Sequence, residues 1–300
     1  MNGTTASGIS DALDRLAAFF EDRETRAGLL ARRLLNRVKS GDAQLAEHLV
    51  RERRRRTRID GSVDGSLVDT AWTAWELLDL GCPTDHAAVV RTIGYVLAQQ
   101  DRPGHFAEGC SEDRHERNLC YHFMKGFFSP GGADRPLAPL SFPTGVTATS
   151  ESAARFAASC AALRVVLRAG EERRASVRRH LDSVLSLAER PDDLELDGGQ
   201  DLTFFALGAL ALAPPAYREP LQRLTRHVAD RQDRDGRWDG AHLFHALDML
   251  SSAHTSAARE ALEQAAPLLC SMQLANGALD ADGREEPALV AVRVLTAAAS

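Results

Sequence analysis

Four side chains with metal-binding chemistry fall close together: Cys110, His115, Cys120 and His122, with His105 just before them. Two thiolates and two imidazoles suit a tetrahedral zinc at about 2.0–2.3 Å. The steps from Cys110 to His115 and from His115 to Cys120 are both five residues, which is no standard finger. On a helix that step turns successive side chains roughly 140° apart. The competing reading is a polar loop whose thiols pack inward. His242 and His245 are three apart, so on a helix they share a face. They form either an acid–base pair or two satisfied core imidazoles. Glu151, Asp201, Asp239 and Glu286 stand at the starts of apolar segments, where the helix dipole by itself favours acids. The arginines from Arg51 to Arg58 would suit a diphosphate or an acidic surface, or a solvated helix C-terminus.

The elements that must position these groups come from a repeat. Gln232, Gly236 and Trp238 form the pattern Gln, three residues, Gly, one residue, aromatic. It returns at Gln273, Gly277 and Leu279, and at Gln100, Gly104 and Phe106. A weaker copy sits at Thr57, Gly61 and Val63, and a worn one at Glu189, Asp193 and Glu195. The spacing is roughly 43 residues, doubled once, and such a period marks a repeat architecture. Between the motifs, an apolar segment alternates with an amphipathic one. Segment 67–80 is apolar on several faces and Gly81 stops it, whereas 85–99 carries a single stripe. The order recurs at 151–169 with 172–189, at 201–212 with 217–230, and at 242–250 with 256–272. A segment apolar all round suits an inner helix, and one with a single stripe suits an outer helix.

The segment 286–299 is apolar and has no partner after it, and 42–58 has no inner helix before it. Matching these leftover halves predicts an all-α chain of about six helical hairpins closed into a ring, 42–300, preceded by a helical extension over 1–41. A repeat unit cannot bury its own face and must stack on neighbours, and closure removes the need for caps. Segment 107–150 does not conform. It has the length of one repeat, with a helix expected over 112–128. Beyond that Pro130, Pro136, Pro139 and Pro143 forbid a regular helix. A long irregular segment in a compact body is usually functional, and this one is expected over the mouth of the ring.

Composition sets bounds. A net charge of −6 argues against a nucleic-acid partner. There is no apolar run of about 20 residues to cross a bilayer. Residues 1–22 lack the basic-then-apolar pattern of a signal peptide. Five cysteines at irregular spacing read as reduced thiols of a cytoplasmic protein rather than a secreted framework.

Asp69-Thr70-Ala71 on an inner helix, Leu-Gly at its end, an outer helix, and then Gln-x-x-x-Gly-x-Trp together resemble the QW repeat. The chain is similar over about 42–299 to the terpenoid cyclase / protein prenyltransferase α/α-toroid superfamily, which includes squalene–hopene cyclases. The resemblance implies a cavity suited to an isoprenoid or similar apolar substrate, for which Trp72, Trp75, Phe156, Phe204, Phe205 and Phe244 are the candidate lining. Aromatic faces there would steady a carbocation. The class II cyclases of this superfamily protonate an alkene from D-x-D-D-T-A. Only the last aspartate survives here, as Asp69, with Val68 in the catalytic place, so Asp69 is either the acid or simply a first-turn residue. The prenyltransferases hold zinc with D-x-C and a distant histidine, to which Asn118-Leu119-Cys120 and His245 bear a partial likeness. The expected function is a cyclase- or prenyltransferase-like enzyme, with zinc as the candidate cofactor. The alternative is a non-catalytic toroid that binds a lipid or a protein and carries a structural zinc.

Overall fold

Short polar side chains start the helices where the apolar periodicity begins. Ser66, Ser150 and Thr255 each accept a backbone N–H three residues on, so that Leu67–Asp79, Glu151–Arg168 and Ser256–Met272 begin with satisfied donors. The computed structural model describes residues 3–100, 127–128, 136–189 and 199–299. Among these the chain is all-α apart from one two-stranded ribbon.

Twelve α-helices occur among the described residues. They are α1 (Gly3–Phe20), α2 (Arg26–Leu34), α3 (Asp42–Arg56), α4 (Leu67–Asp79), α5 (Ala87–Ala98) and α6 (Glu151–Arg168). After these come α7 (Ala175–Ala188), α8 (Gln200–Leu210), α9 (Arg218–Ala229), α10 (Leu243–Ala253), α11 (Ser256–Met272) and α12 (Glu285–Ala299). Strands β1 (Leu140–Ser141) and β2 (Thr147–Ala148) pair antiparallel, Leu140 opposite Ala148.

The two kinds of helix expected from patterning are both present. Helix α6 is buried almost all round, from Ser152 to Leu167. Helix α9 buries only Leu221, Leu224, Thr225 and Val228, one stripe. Among the fully buried type, α4 packs on α6, α6 on α8, α8 on α10 and α10 on α12. Each amphipathic helix then backs two of these: α5 lies on α4 and α6, α7 on α6 and α8, and α11 on α10 and α12.

The repeat motif has a mechanical meaning. Gln232 Nε2 donates to Gly236 O at 3.1 Å, closing its own turn, and to Ala261 O on α11 at 2.9 Å. Gln273 Nε2 does the same with Gly277 O and with Ala12 O on α1. The glycine lies in the left-handed region, φ +85° at Gly236, with Ala265 Cα 2.8 Å from where a Cβ would be. Gln and Gly therefore dock each closing turn on the next amphipathic helix. Trp238 seals the turn from inside, its indole N–H on Val228 O at 2.7 Å.

Two expectations change. Residues 3–34, read as an extension, belong to the same core: Leu16 and Phe20 are fully buried in the main apolar cluster. Helix α2 packs between α12 and α4, and α1 backs α11 and α12. The partnership expected between 42–58 and the last helix is thus taken by α1, while α3 rests on α2 and α4. Arg26 and Arg32 stand in α2, yet both are buried. Arg32 is held by Asp42 and by the carbonyls of Phe20 and Arg23. Of the closing turns, Gln232 bridges Trp238 and Thr57 bridges Val63, while Gln100 bridges Phe128. Phe127 and Phe128 are pinned by their N–H groups to Ser159 Oγ on α6.

Candidate functional site

The apolar faces of α4, α6, α8 and α10 line a pocket beneath the 140–148 ribbon. Val68, Ala71, Trp72 and Trp75 come from α4, Cys160 and Arg164 from α6, Phe205 from α8, and His245 and Met249 from α10. The roof is Phe142, Pro143 and Thr144. The ribbon is held down at several points. Glu151 Oε2 accepts the N–H groups of Leu137 and Ala138 at 2.8 and 2.9 Å. Phe142 packs on Phe205 with centroids 4.7 Å apart. Thr144 Oγ1 meets His245 Nδ1 at 3.2 Å. Gly145, at φ +97°, lies under the His242 ring, where a Cβ would come within 2.6 Å of Nε2. The described part of the irregular segment thus covers a pocket, as a long insertion with a role should. The cavity holds about 50 Å³. That is space for a few waters, against roughly 300–1,000 Å³ for ordinary small-molecule sites.

Four of the sequence candidates meet here: Trp72, Trp75, Phe205 and His245. Phe156 and Phe204 are fully buried elsewhere in the core, Phe204 edge-on to Trp238 at 5.4 Å. Phe244 is also buried but faces His242 instead. Asp69 is exposed in the first turn of α4, its N–H on Ser66 Oγ at 3.2 Å, and it does not line the pocket. The side chain before it, Val68, does. Cys110, His115, Cys120 and His122 lie outside the described residues. Among the described residues no group of three or more His, Cys, Asp and Glu side chains is placed to hold a metal.

The charged groups are what sequence reasoning passed over. Arg164 binds Asp248 at 3.1 Å and Ser252 at 2.8 Å, and Arg293 binds the other Asp248 oxygen at 2.6 Å. Burial alone would push the Asp248 carboxyl up; the two guanidiniums more than offset this and hold it below the usual range. At the adjoining end of α4, Arg26 binds Asp79, Glu76 and Glu286, while Arg53 takes Glu76 and Arg168 takes Asp79. The signal for Arg164 and Asp248 was available. Each stands on a helix stretch flanked by apolar residues, Leu163 and Val165 beside Arg164 and Leu247 and Met249 beside Asp248, and such a charge needs a buried partner.

These cations also change the meaning of the tryptophans. Arg164 and Arg168 lie over Trp75 at 4.4 and 4.1 Å, and Arg26 over Trp72 at 5.2 Å. The rings expected to steady a carbocation already carry cations.

Two titrating groups flank the pocket. Burial lowers His245 to about 3, so it is a neutral imidazole. Asp201 starts α8 one turn before Phe205 and accepts the His242 backbone N–H at 2.9 Å. Burial raises its carboxyl to about 6, which makes it able to hold a proton near neutrality. Burial also lowers His242, with Arg284 adding to the effect.

No described helix is long and apolar enough to cross a membrane. Compared with known proteins, the chain matches no family model and no curated sequence.

Proposed function

We propose that this chain is an α/α toroid of the kind found in the terpenoid cyclase / protein prenyltransferase superfamily, and that its pocket takes an isoprenoid-like apolar molecule. Closure is supported by the neighbour series α2, α4, α6, α8, α10 and α12, which returns to α2. It is also supported by the turn at Gln273, which docks on the first helix of the chain. The observation that carries the ligand class is the wall of Trp72, Trp75, Phe142, Phe205 and Met249 under an inserted roof. An isoprenoid chain needs more room than about 50 Å³, so the 140–148 ribbon lifts or shifts as the ligand enters.

Within this reading, binding alone is favoured over cyclisation by two observations. Asp69, the residue aligned with the cyclase acid motif, is exposed and away from the pocket. The pocket tryptophans carry guanidiniums, which oppose a carbocation. If the toroid does turn over a substrate, Asp201, whose carboxyl burial raises to about 6, is the acid to test, although it too stands outside the pocket lining. The zinc expected at Cys110, His115, Cys120 and His122 belongs to the same proposal as a staple of the inserted segment, with one equivalent the expected result of metal analysis.

The test is titration of the full chain with geraniol, farnesol and squalene, followed by tryptophan emission and product analysis. Saturable quenching without product is the expected result. Absence of any saturable binding refutes the ligand class. A product that vanishes in Asp201→Asn moves the reading to catalysis.

A further inference from the structure

Arg164 stands in the pocket wall with bonding capacity left over. Its Nη1 is committed to Asp248 and its Nη2 to Ser252. Its Nε is buried and has no acceptor among the described residues. A buried donor without an acceptor is costly, and more so on a charged group. The residue is only 8% exposed and its Nε is buried, so solvent does not supply the missing partner.

The local charge balance points the same way. At Asp248 two arginines, Arg164 and Arg293, share one carboxylate. A buried cation without full compensation calls for an anion. The neighbouring His245 lines the same wall, with Thr144 on Nδ1 and the Asp201 main chain as a further hydrogen-bond partner of the ring.

We infer that the pocket takes an apolar molecule ending in a single carboxylate, the carboxylate on Arg164 and the tail along Trp72, Trp75, Phe142 and Phe205. This rests on the apolar-ligand reading above and adds the chemistry of the head. Two guanidiniums on one carboxylate and one spare donor on Arg164 match a monoanion. A diphosphate carries more charge and more acceptors than this wall can meet. The apolar remainder of the lining excludes a small hydrophilic acid as the preferred ligand.

The experiment uses the full chain and four probes: geranic acid, geraniol, geranyl diphosphate and acetate. Two of the three tryptophans, Trp72 and Trp75, line the pocket, so their emission reports occupancy. Geranic acid is expected to bind at least about tenfold more tightly than geraniol, the size of one charge-assisted hydrogen bond. Acetate is expected to give no saturable signal, and the diphosphate is expected to bind more weakly than the acid. Equal binding of geraniol and geranic acid would overturn the head-group inference while leaving the apolar pocket standing. Tightest binding of the diphosphate would overturn it as well. Failure of both geraniol and geranic acid would remove the pocket reading along with it. Arg164→Lys keeps a cation opposite Asp248 and loses the Nε–H. It is expected to lose the preference for the acid over geraniol, and a retained preference would refute the role of Arg164. If that variant does not fold, the wild-type series decides alone.

Discussion

Gly236→Ala isolates what the repeat motif does. Two costs act at this position. The residue sits at φ +85°, and holding a side chain in the left-handed region costs about 1–2 kcal/mol. Its Cβ would also stand 2.8 Å from Ala265 Cα and 2.9 Å from Gln264 O, both backbone atoms of α11. Backbone cannot rotate away as a flexible side chain can, so overpacking adds about 1–3 kcal/mol. Gly81 supplies the control. It has φ +95° and nothing within 4 Å of its would-be Cβ, so Gly81→Ala suffers only the first cost. Both substitutions remove similar freedom from the unfolded chain, and that gain cancels in the comparison. The expected difference in unfolding free energy is therefore about 2 kcal/mol, read from urea denaturation of the two variants side by side. If Gly236→Ala destabilises no more than Gly81→Ala, the motif glycine is only a turn residue. The docking of closing turns on successive outer helices would then be wrong as the account of the repeat.

Asp248→Asn leaves the Arg164 and Arg293 guanidiniums facing a neutral amide, and should cost about 3–5 kcal/mol by denaturant titration. Gln273→Ala removes its side-chain bonds to Ala12 O and Arg15 and should cost about 1–3 kcal/mol, with α1 losing hydrogen-exchange protection before the rest. Asp201 gives a pH signature. Its folded carboxyl is raised from 3.8 to about 6, so the folded state holds the proton more tightly than the unfolded one. Stability should therefore fall as pH rises from about 4 to about 6, by at most about 3 kcal/mol, and Asp201→Asn should flatten that slope. A slope unchanged in the variant would assign it to another group.

Helix kind and order were legible because burial follows hydrophobic period. The stripe Leu221, Leu224 and Val228 marks a helix with one wet side, and the unbroken apolar run of α6 marks one with none. Two things were hidden, and both involve long-range pairing. Arg26 makes α2 look exposed until Asp79, Glu76 and Glu286, far away in sequence, are brought to it. Likewise nothing local in the sequence names Phe128 as the backbone partner of Gln100. Half of the site was legible in the same sense. Aromatic residues on inner helices could be nominated, but only the placed ribbon chose Trp72, Trp75 and Phe205 over Phe156 and Phe204. Asp69 could not be judged from its motif fragment, because exposure depends on which face of α4 the neighbours cover.

The junction between Gln273 and α1 has a consequence for how the protein is made. Helix α1 leaves the ribosome early, yet the groups that seat it, Gln273 and the turn around Gly277, come some 260 positions later. Until then Leu16, Phe19 and Phe20 have no permanent partners on that side. Long delays of this kind expose greasy surface to other chains. Newly synthesised protein should therefore be most vulnerable just before its final helices emerge, and most dependent then on chaperones that shield the waiting N-terminal segment.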